Sequence, residues 1–196
     1  MAWKHGRDYH LILHRERYPD QLLPHLLAHE LGHLRLESAA RRVGRNRWAM
    51  STASTREKAI RSMAVDIERW QRQGFDEKSI TDVTLELTDG IVRQITNAPI
   101  DVLIESSIYG AYPQLRSVQY LSLQVLAKEA ADAISNPEIQ RRMPRKILRA
   151  SAALNGATAL FVDRLWAGVT DYASVYSRLD SFPIAQRLVS ILDRRK

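Results

Sequence analysis

Hydrophobic residues recur at helical spacing along most of the chain, which predicts a mainly α fold. The clearest stripe lies in residues 21–43, where leucines follow one another at intervals of three, four or seven residues. Asp20 is placed to cap this helix at its start, and Gly44 suits the left-handed residue that ends it. The leucines of the predicted buried stripe are Leu22, Leu23, Leu26, Leu27, Leu31 and Leu34.

Further helices are predicted between the glycine, proline and asparagine residues that punctuate the rest of the chain. Ser and Thr residues near 52 and Asp76 are placed as N-caps, and Asn97-Ala98-Pro99 is expected to separate two helices. Asn136-Pro137 and Met143-Pro144 are expected to bracket a short helix. The predicted helices cover residues 52–73, 77–96, 99–109, 114–135, 137–142, 145–166 and 183–192.

One short segment, residues 8–14, favours a strand. It is rich in β-forming residues, and Tyr9, Leu11 and Leu13 would share one face. The edge of such a strand could pair with an extended peptide. We therefore expect a single domain over 1–196, mainly α, with a small N-terminal β element packed by the helix that follows. Residues 1–110 would form its core, and residues 111–196 a helical extension.

The composition is that of a globular protein, with 45% hydrophobic and 26% charged residues. No run of about 20 apolar residues is present to span a membrane, and the N-terminus lacks the apolar core of a secretory signal. These features favour a soluble, cytoplasmic protein. Because the chain contains no cysteine, any metal ion must be held by histidines and carboxylates.

The net charge of +7 raises the question of an acidic partner such as nucleic acid. The densest basic stretch, residues 41–48, lies where the first helix is expected to end, and cations there complement the helix dipole. Its aromatic residues are not interleaved with basic ones as in known nucleic-acid modules. A solvated helix end is favoured, and a nucleic-acid surface formed by Arg41, Arg42, Arg45 and Arg47 stays open as an alternative.

The strongest chemical signal is the sequence His-Glu-Leu-Gly-His at residues 29–33. His29 and His33 are four residues apart, so on a helix both imidazoles lie on one face and can bind one metal ion. Glu30 is rotated by about 100° from His29, which lets its carboxylate reach a metal-bound water without ligating the metal. The pattern therefore predicts two ligands and a general base.

Through the stretch from Tyr9 to Leu36, and above all through residues 29–33, the chain resembles the zincin superfamily of metallopeptidases. The resemblance implies one catalytic zinc ion per chain, ligated by His29 and His33, with Glu30 as general base in peptide-bond hydrolysis. The metzincin branch is excluded, because its extended motif needs Gly at 36 and His at 39, where this chain has Leu36 and Ala39.

A catalytic zinc ion requires a third protein ligand. His25 lies about 12 Å from His33 along the helix, too far to share one ion. His5, His10 and His14 could line the cleft, although a surface or packing role is favoured for each. In the gluzincin branch, the third ligand is an acid on a second helix, with a polar residue one turn away that orients a histidine.

Asp101 and Glu105 resemble that gluzincin arrangement, since they are four residues apart in an apolar helix. Glu105 is favoured as the ligand and Asp101 as its supporting residue, and the reversed assignment stays open. Their order departs from the glutamate-then-aspartate order of the family. Tyr109, one turn further on, could donate to an oxyanion, although a tyrosine that bridges core and solvent is the commoner case.

The sequence thus supports a zinc-dependent metallopeptidase with peptide or protein substrates. A degenerate zincin that uses its metal site for protein interaction is the second interpretation. A basic, nucleic-acid-associated helical protein with an incidental motif is the third.

Overall fold

In a computed structural model, which describes residues 9–12, 19–45 and 51–194, the chain forms eight α-helices and no strand. The mainly α prediction is therefore confirmed for these residues. Short 3₁₀ helices cover Asp20–Leu22, Pro113–Leu115 and Tyr172–Tyr176. The α-helices are α1 (Leu23–Arg42), α2 (Ala53–Ser62), α3 (Ala64–Arg72), α4 (Glu77–Ala111), α5 (Arg116–Ser135), α6 (Pro137–Arg142), α7 (Arg145–Leu165) and α8 (Phe182–Asp193).

The predicted N-terminal β element is wrong for the residues that the structure describes. Residues 9–12 form no strand, and the side chains of Tyr9 and Leu11 are 64% and 55% exposed. A strand needs a neighbour to pair with its backbone groups, and none exists in the described ranges. The other residues of the predicted strand, 8, 13 and 14, lie outside those ranges.

The ends of α1 follow the sequence in part. Gly44 adopts the left-handed conformation (φ +67°), and the amide of Arg45 donates to the carbonyl of Ala40 at 2.8 Å, as expected of a helix end. The expected cap at Asp20 is wrong, because Asp20 begins a 3₁₀ turn and α1 starts only after Leu22. Pro24 lies in the first turn of α1, where its missing N–H costs nothing.

Two predicted boundaries are also wrong. The helix expected over 52–73 is divided at the buried Met63 into α2 and α3, although Thr52 caps α2 as expected by accepting from the amide of Thr55 at 3.1 Å. The break expected at residues 97–99 is absent, since α4 continues through Pro99. A proline removes one helical hydrogen bond, and buried residues before and after Pro99 hold the helix together.

The described chain separates into two compact units. The first unit comprises described residues of Met1–Arg47 and Ile100–Leu126, and it therefore contains α1 and the C-terminal part of α4. The second unit comprises those of Trp48–Pro99 and Ala127–Lys196 and contains α7 and α8. No helix in the described ranges combines the length and apolar character needed to cross a membrane.

In the first unit, α1 packs against α4 at unusually short range. A Cβ atom built on Gly32 would lie 2.7 Å from Cγ2 of Ile104, so only glycine fits at this contact. Ile104 is buried together with Val102, Ile108 and Leu123. This close approach brings the polar residues of the two helices together.

Part of the predicted leucine stripe of α1 is not buried. Leu27 and Leu31 are 45% and 57% exposed, because they line an open apolar groove of about 550 Å³ rather than the contact with α4. Leu103 and Tyr112 contribute to the same groove. The buried face of α1 is instead occupied by Gly32 and by histidine.

In the second unit, α7 packs against α8 through small apolar side chains. Ala157, Ala185 and Val189 form one buried cluster, and Ala159 lies in a neighbouring cluster with Tyr176. Ala185 is fully buried. The buried residues of this packing include no histidine, carboxylate, lysine or arginine.

Candidate metal centre

The contact between α1 and α4 is built from ionisable side chains. His25, His29 and His33 follow one another at intervals of four residues on α1, and Asp101 and Glu105 have the same interval on α4. The helices run in opposite directions here, because the first histidine of α1 contacts the second acid of α4 and the last histidine contacts the first acid. The two stripes are therefore in register.

Three of these side chains converge as a group that could hold a metal ion: His29, His33 and Asp101. Nε2 of His33 lies 3.0 Å from Oδ1 of Asp101 and 3.1 Å from Nε2 of His29. Nε2 of His29 lies 3.6 Å from the same carboxylate oxygen. Ligand atoms at about 2.1 Å from a tetrahedral zinc ion are about 3.4 Å apart, so these separations fit a single ion. Two imidazoles and one carboxylate also form a known catalytic zinc set.

Glu105 lies on the other side of His29. One of its oxygens accepts a hydrogen bond from Nδ1 of His29 at 2.8 Å, and the side chain is almost completely buried. A carboxylate in this position fixes the ring and leaves Nε2 directed towards the metal. The geometry favours Asp101 as third ligand and Glu105 as the orienting acid, which is the reversed assignment that the sequence left open.

This assignment also clarifies the relation to the gluzincin arrangement. There, an acidic ligand is followed one turn later by a residue that orients a histidine. Asp101 lies beside His29 and His33, and Glu105, one turn later, accepts a hydrogen bond from His29. This order is similar to the gluzincin one, with aspartate and glutamate exchanged.

Charge neutralisation within the group shifts its pKa values strongly. Burial alone would lower the pKa of His29, but its hydrogen bonds to Asp101 and Glu105 outweigh burial and raise that pKa to about 10. Burial would raise the pKa of Glu105, but hydrogen bonds from His25, His29 and Gln119 lower it to about 2. The pKa of Asp101 is also lowered, because its hydrogen bonds to His29 and His33 outweigh burial. A proton on His29 therefore occupies the electrostatic place that a bound cation would take.

Glu30 is half-buried and takes part in no hydrogen bond or ion pair among the described residues. On the helix it is rotated by about 100° from His29 in one sense, whereas Ala28 is rotated equally in the other. Because Ala28 lines the apolar groove, Glu30 lies on the opposite side of the metal-binding stripe from that groove. Its carboxylate is available for proton transfer.

His10 and His25 are the other described histidines, and neither belongs to the group that could hold a metal ion. His25 is bound to Glu105 through Nε2 at 3.0 Å, in agreement with its expected place beside the site. His10 is exposed, and His5 and His14 lie outside the described residues. Tyr109 is covered by Arg116, whose guanidinium carbon lies 4.4 Å from the ring centre. Its suggested role towards an oxyanion remains a prediction.

The sequence analysis missed Gln119 of α5. This residue is fully buried and donates to a carboxylate oxygen of Glu105 at 2.6 Å and to the backbone carbonyl of Glu105 at 2.9 Å. The sequence feature that could have identified Gln119 is its position four residues after Leu115, in a helix face expected to be apolar. Buried polar side chains have partners as a rule, so that position could have been singled out.

The basic stretch at the end of α1 fits the helix-end interpretation. Arg41 and Arg42 occupy the last turn of α1, and both are exposed, as is Arg45. Arg47 lies outside the described residues. Cations in this position stabilise the negative end of the helix dipole.

Comparisons with protein-family models, with curated proteins and with solved structures find no match to this chain. The resemblance to zincins therefore rests on the sequence motif at residues 29–33.

Proposed function

We propose that this protein is a zinc-dependent hydrolase that cleaves peptide bonds, with His29, His33 and Asp101 as its metal ligands. The observation that carries the proposal is the convergence of these three side chains, from two helices, within ligand distance of one another. Two of them belong to the same motif as Glu30. An accidental motif would give no reason for an acid of α4 to meet both histidines.

Each residue then has a distinct role. A zinc ion at this site would polarise a water molecule and the scissile carbonyl group. Glu30 would take the proton from the attacking water and deliver it to the leaving amine. Glu105 would hold the ring of His29 through Nδ1, so that Nε2 keeps its direction.

A second candidate function is a metal site used for protein interaction without turnover, because the same three side chains could hold an ion whether or not Glu30 acts as a base. In this alternative, Glu30 has no chemical task. The two functions share the metal ligands and differ in the role of Glu30.

The test compares wild-type protein with Glu30→Gln, using elemental analysis for zinc and a mixed set of fluorogenic peptides for hydrolysis. We expect about one zinc ion per chain in both proteins, and at least a ~100-fold lower hydrolysis rate in the variant, because general-base catalysis contributes about 10²–10⁴-fold. Glu57→Gln is the matched control, since this exposed glutamate of α2 pairs with Arg61 of the same helix.

The outcomes separate the two functions. Wild-type protein that takes up no zinc would contradict both. Zinc uptake without hydrolysis of any peptide by the wild type would favour the interaction module. Hydrolysis that Glu30→Gln retains in full would exclude Glu30 as the base.

A further inference from the structure

Glu105 is held by more donors than a residue that orients one histidine needs. Nε2 of His25 lies 3.0 Å and 3.2 Å from its two oxygens, and Nε2 of Gln119 donates to one of them at 2.6 Å. Nδ1 of His29 donates to the other oxygen at 2.8 Å. Donors from three side chains thus surround one carboxylate.

The two additional donors are deeply buried. His25 is 2% exposed and Gln119 is 0% exposed, and each has a second polar atom, Nδ1 of His25 and Oε1 of Gln119, without a hydrogen-bond partner in the described part of the chain. Leaving such an atom unsatisfied costs free energy that an apolar side chain of similar size would avoid. Packing alone therefore gives no reason for either residue.

We propose that His25 and Gln119 are positioning residues, which act through Glu105 to keep Nε2 of His29 directed at the metal. The inference rests on the proposed zinc site. Gln119 donates hydrogen bonds to both the side chain and the backbone carbonyl of Glu105, which restricts rotation of the carboxylate. His25 contacts both oxygens. The oxygen that accepts from His29 is thereby fixed in place before an ion binds.

Preorganisation of this kind affects affinity more than fold. If the carboxylate of Glu105 can rotate, His29 loses the partner that fixes its ring, and zinc binding must then reorder both side chains. Residues that support a ligand in this manner change metal affinity by about 10- to 100-fold. Because His25 and Gln119 act one step further away, we expect the lower end of that range.

The test measures the zinc dissociation constant by competition with a chromophoric chelator for His25→Met, His25→Gln and Gln119→Met. Methionine fills similar space without a donor, and we expect it to weaken zinc binding about 10-fold at either position. Glutamine at position 25 can place an N–H where Nε2 of histidine stands, so His25→Gln should recover most of the affinity. Gln94→Met is the matched control, because it removes a hydrogen bond to Asn155 in the other unit.

A second readout separates positioning from stability. In the zinc-loaded wild type, we expect an NMR signal from the proton on Nδ1 of His29, held by Glu105 and slow to exchange with water. This signal should broaden or shift in Gln119→Met and be retained in His25→Gln, while circular dichroism shows the helical content unchanged.

Failure of the inference and failure of the proposed function are distinguishable. Wild-type protein that binds no zinc overturns the proposed metal site. A wild type that binds zinc, with unchanged affinity in His25→Met and Gln119→Met, overturns the positioning role alone. If the methionine variants do not fold, two other results overturn the positioning role. One is a loss of zinc affinity in His25→Gln as large as the one expected for His25→Met, and the other is a wild-type His29 signal that exchanges freely.

Discussion

In the second unit, α7 and α8 meet through alanine, glycine and valine, whereas in the first unit α1 and α4 meet through histidines and carboxylates. Both contacts depend on a glycine that lets the helices approach. Gly156 faces Ala185 and Tyr176, and Gly32 faces Ile104. The two contacts differ in their buried side chains: Ala185 and Val189 are apolar, whereas Glu105 and His25 are ionisable.

The difference shows which of the two contacts is shaped by something other than stability. Apolar burial stabilises a helix pair directly, whereas buried ionisable groups must first recover the free energy of desolvation. The contact of α1 with α4 recovers it through mutual hydrogen bonds, with His29 shared between Asp101 and Glu105. A polar contact of this composition is what the proposed metal site requires.

The largest effect we predict distinguishes the two acids of α4. Asp101→Ala should weaken zinc binding by more than about 100-fold, because it removes a ligand, whereas Glu105→Ala should weaken it by about 10- to 100-fold, because it removes only an orienting partner. Asp89→Ala, which removes an acid bound to Ser51 and Arg56, is the control. Zinc affinity is measured by chelator competition. A greater loss in Glu105→Ala than in Asp101→Ala would assign the ligand role to Glu105.

The next prediction places the same substitution in both contacts. Gly32→Ala would bring a Cβ to 2.7 Å from a branched side chain, and we expect a loss of about 2 kcal/mol in the free energy of unfolding together with weaker zinc binding, since α1 must move away from α4. At Gly156 the nearest atoms would be 3.2 Å and 3.3 Å away. For Gly156→Ala we expect the free energy of unfolding to fall by at most about 1 kcal/mol, because the higher helix propensity of alanine offsets part of the cost of the tight contact. We expect no change in zinc affinity.

Urea denaturation and chelator competition measure the two quantities in each variant. The double variant Gly32→Ala with Ile104→Ala is the control, since removing the branched side chain should restore the helix approach and part of the zinc affinity. Equal affinity in wild type and Gly32→Ala would contradict the view that this contact sets the geometry of the ligands.

The sequence predicted the helices well where a preceding proline and the hydrophobic periodicity agree, as in α5 and α7. Two helix boundaries were predicted wrongly. Pro99 does not end α4, and Met63 divides the predicted helix 52–73 into α2 and α3. Strand-forming residues alone did not produce a strand at 9–12, because pairing requires a neighbour.

For the site, spacing within one helix was enough to single out His29, Glu30 and His33. Spacing could not decide which of Asp101 and Glu105 lies near both His29 and His33, because that depends on the register between α1 and α4. A displacement by one turn would exchange the places of the two acids. The contact of Gln119 with Glu105 could not be predicted for a similar reason, since it depends on how α5 packs against the buried carboxylate.

The smallest effect we predict is the pH dependence of the metal-free protein. The pKa of Glu105 falls from 4.5 to about 2 on folding, so its stabilisation is complete above 4.5 and is lost as the pH falls towards 2. The pKa of His29 rises from 6.5 to about 10, so its stabilisation is complete below 6.5 and is lost as the pH rises towards 10.

The free energy of unfolding should therefore be highest between about pH 4.5 and 6.5 and decrease on each side. Urea denaturation in the presence of a chelator measures it, with His29→Gln as the comparison. The variant should lose the decrease on the alkaline side, because glutamine has no proton to release. An alkaline decrease that His29→Gln retains would place its origin outside the contact of α1 with α4.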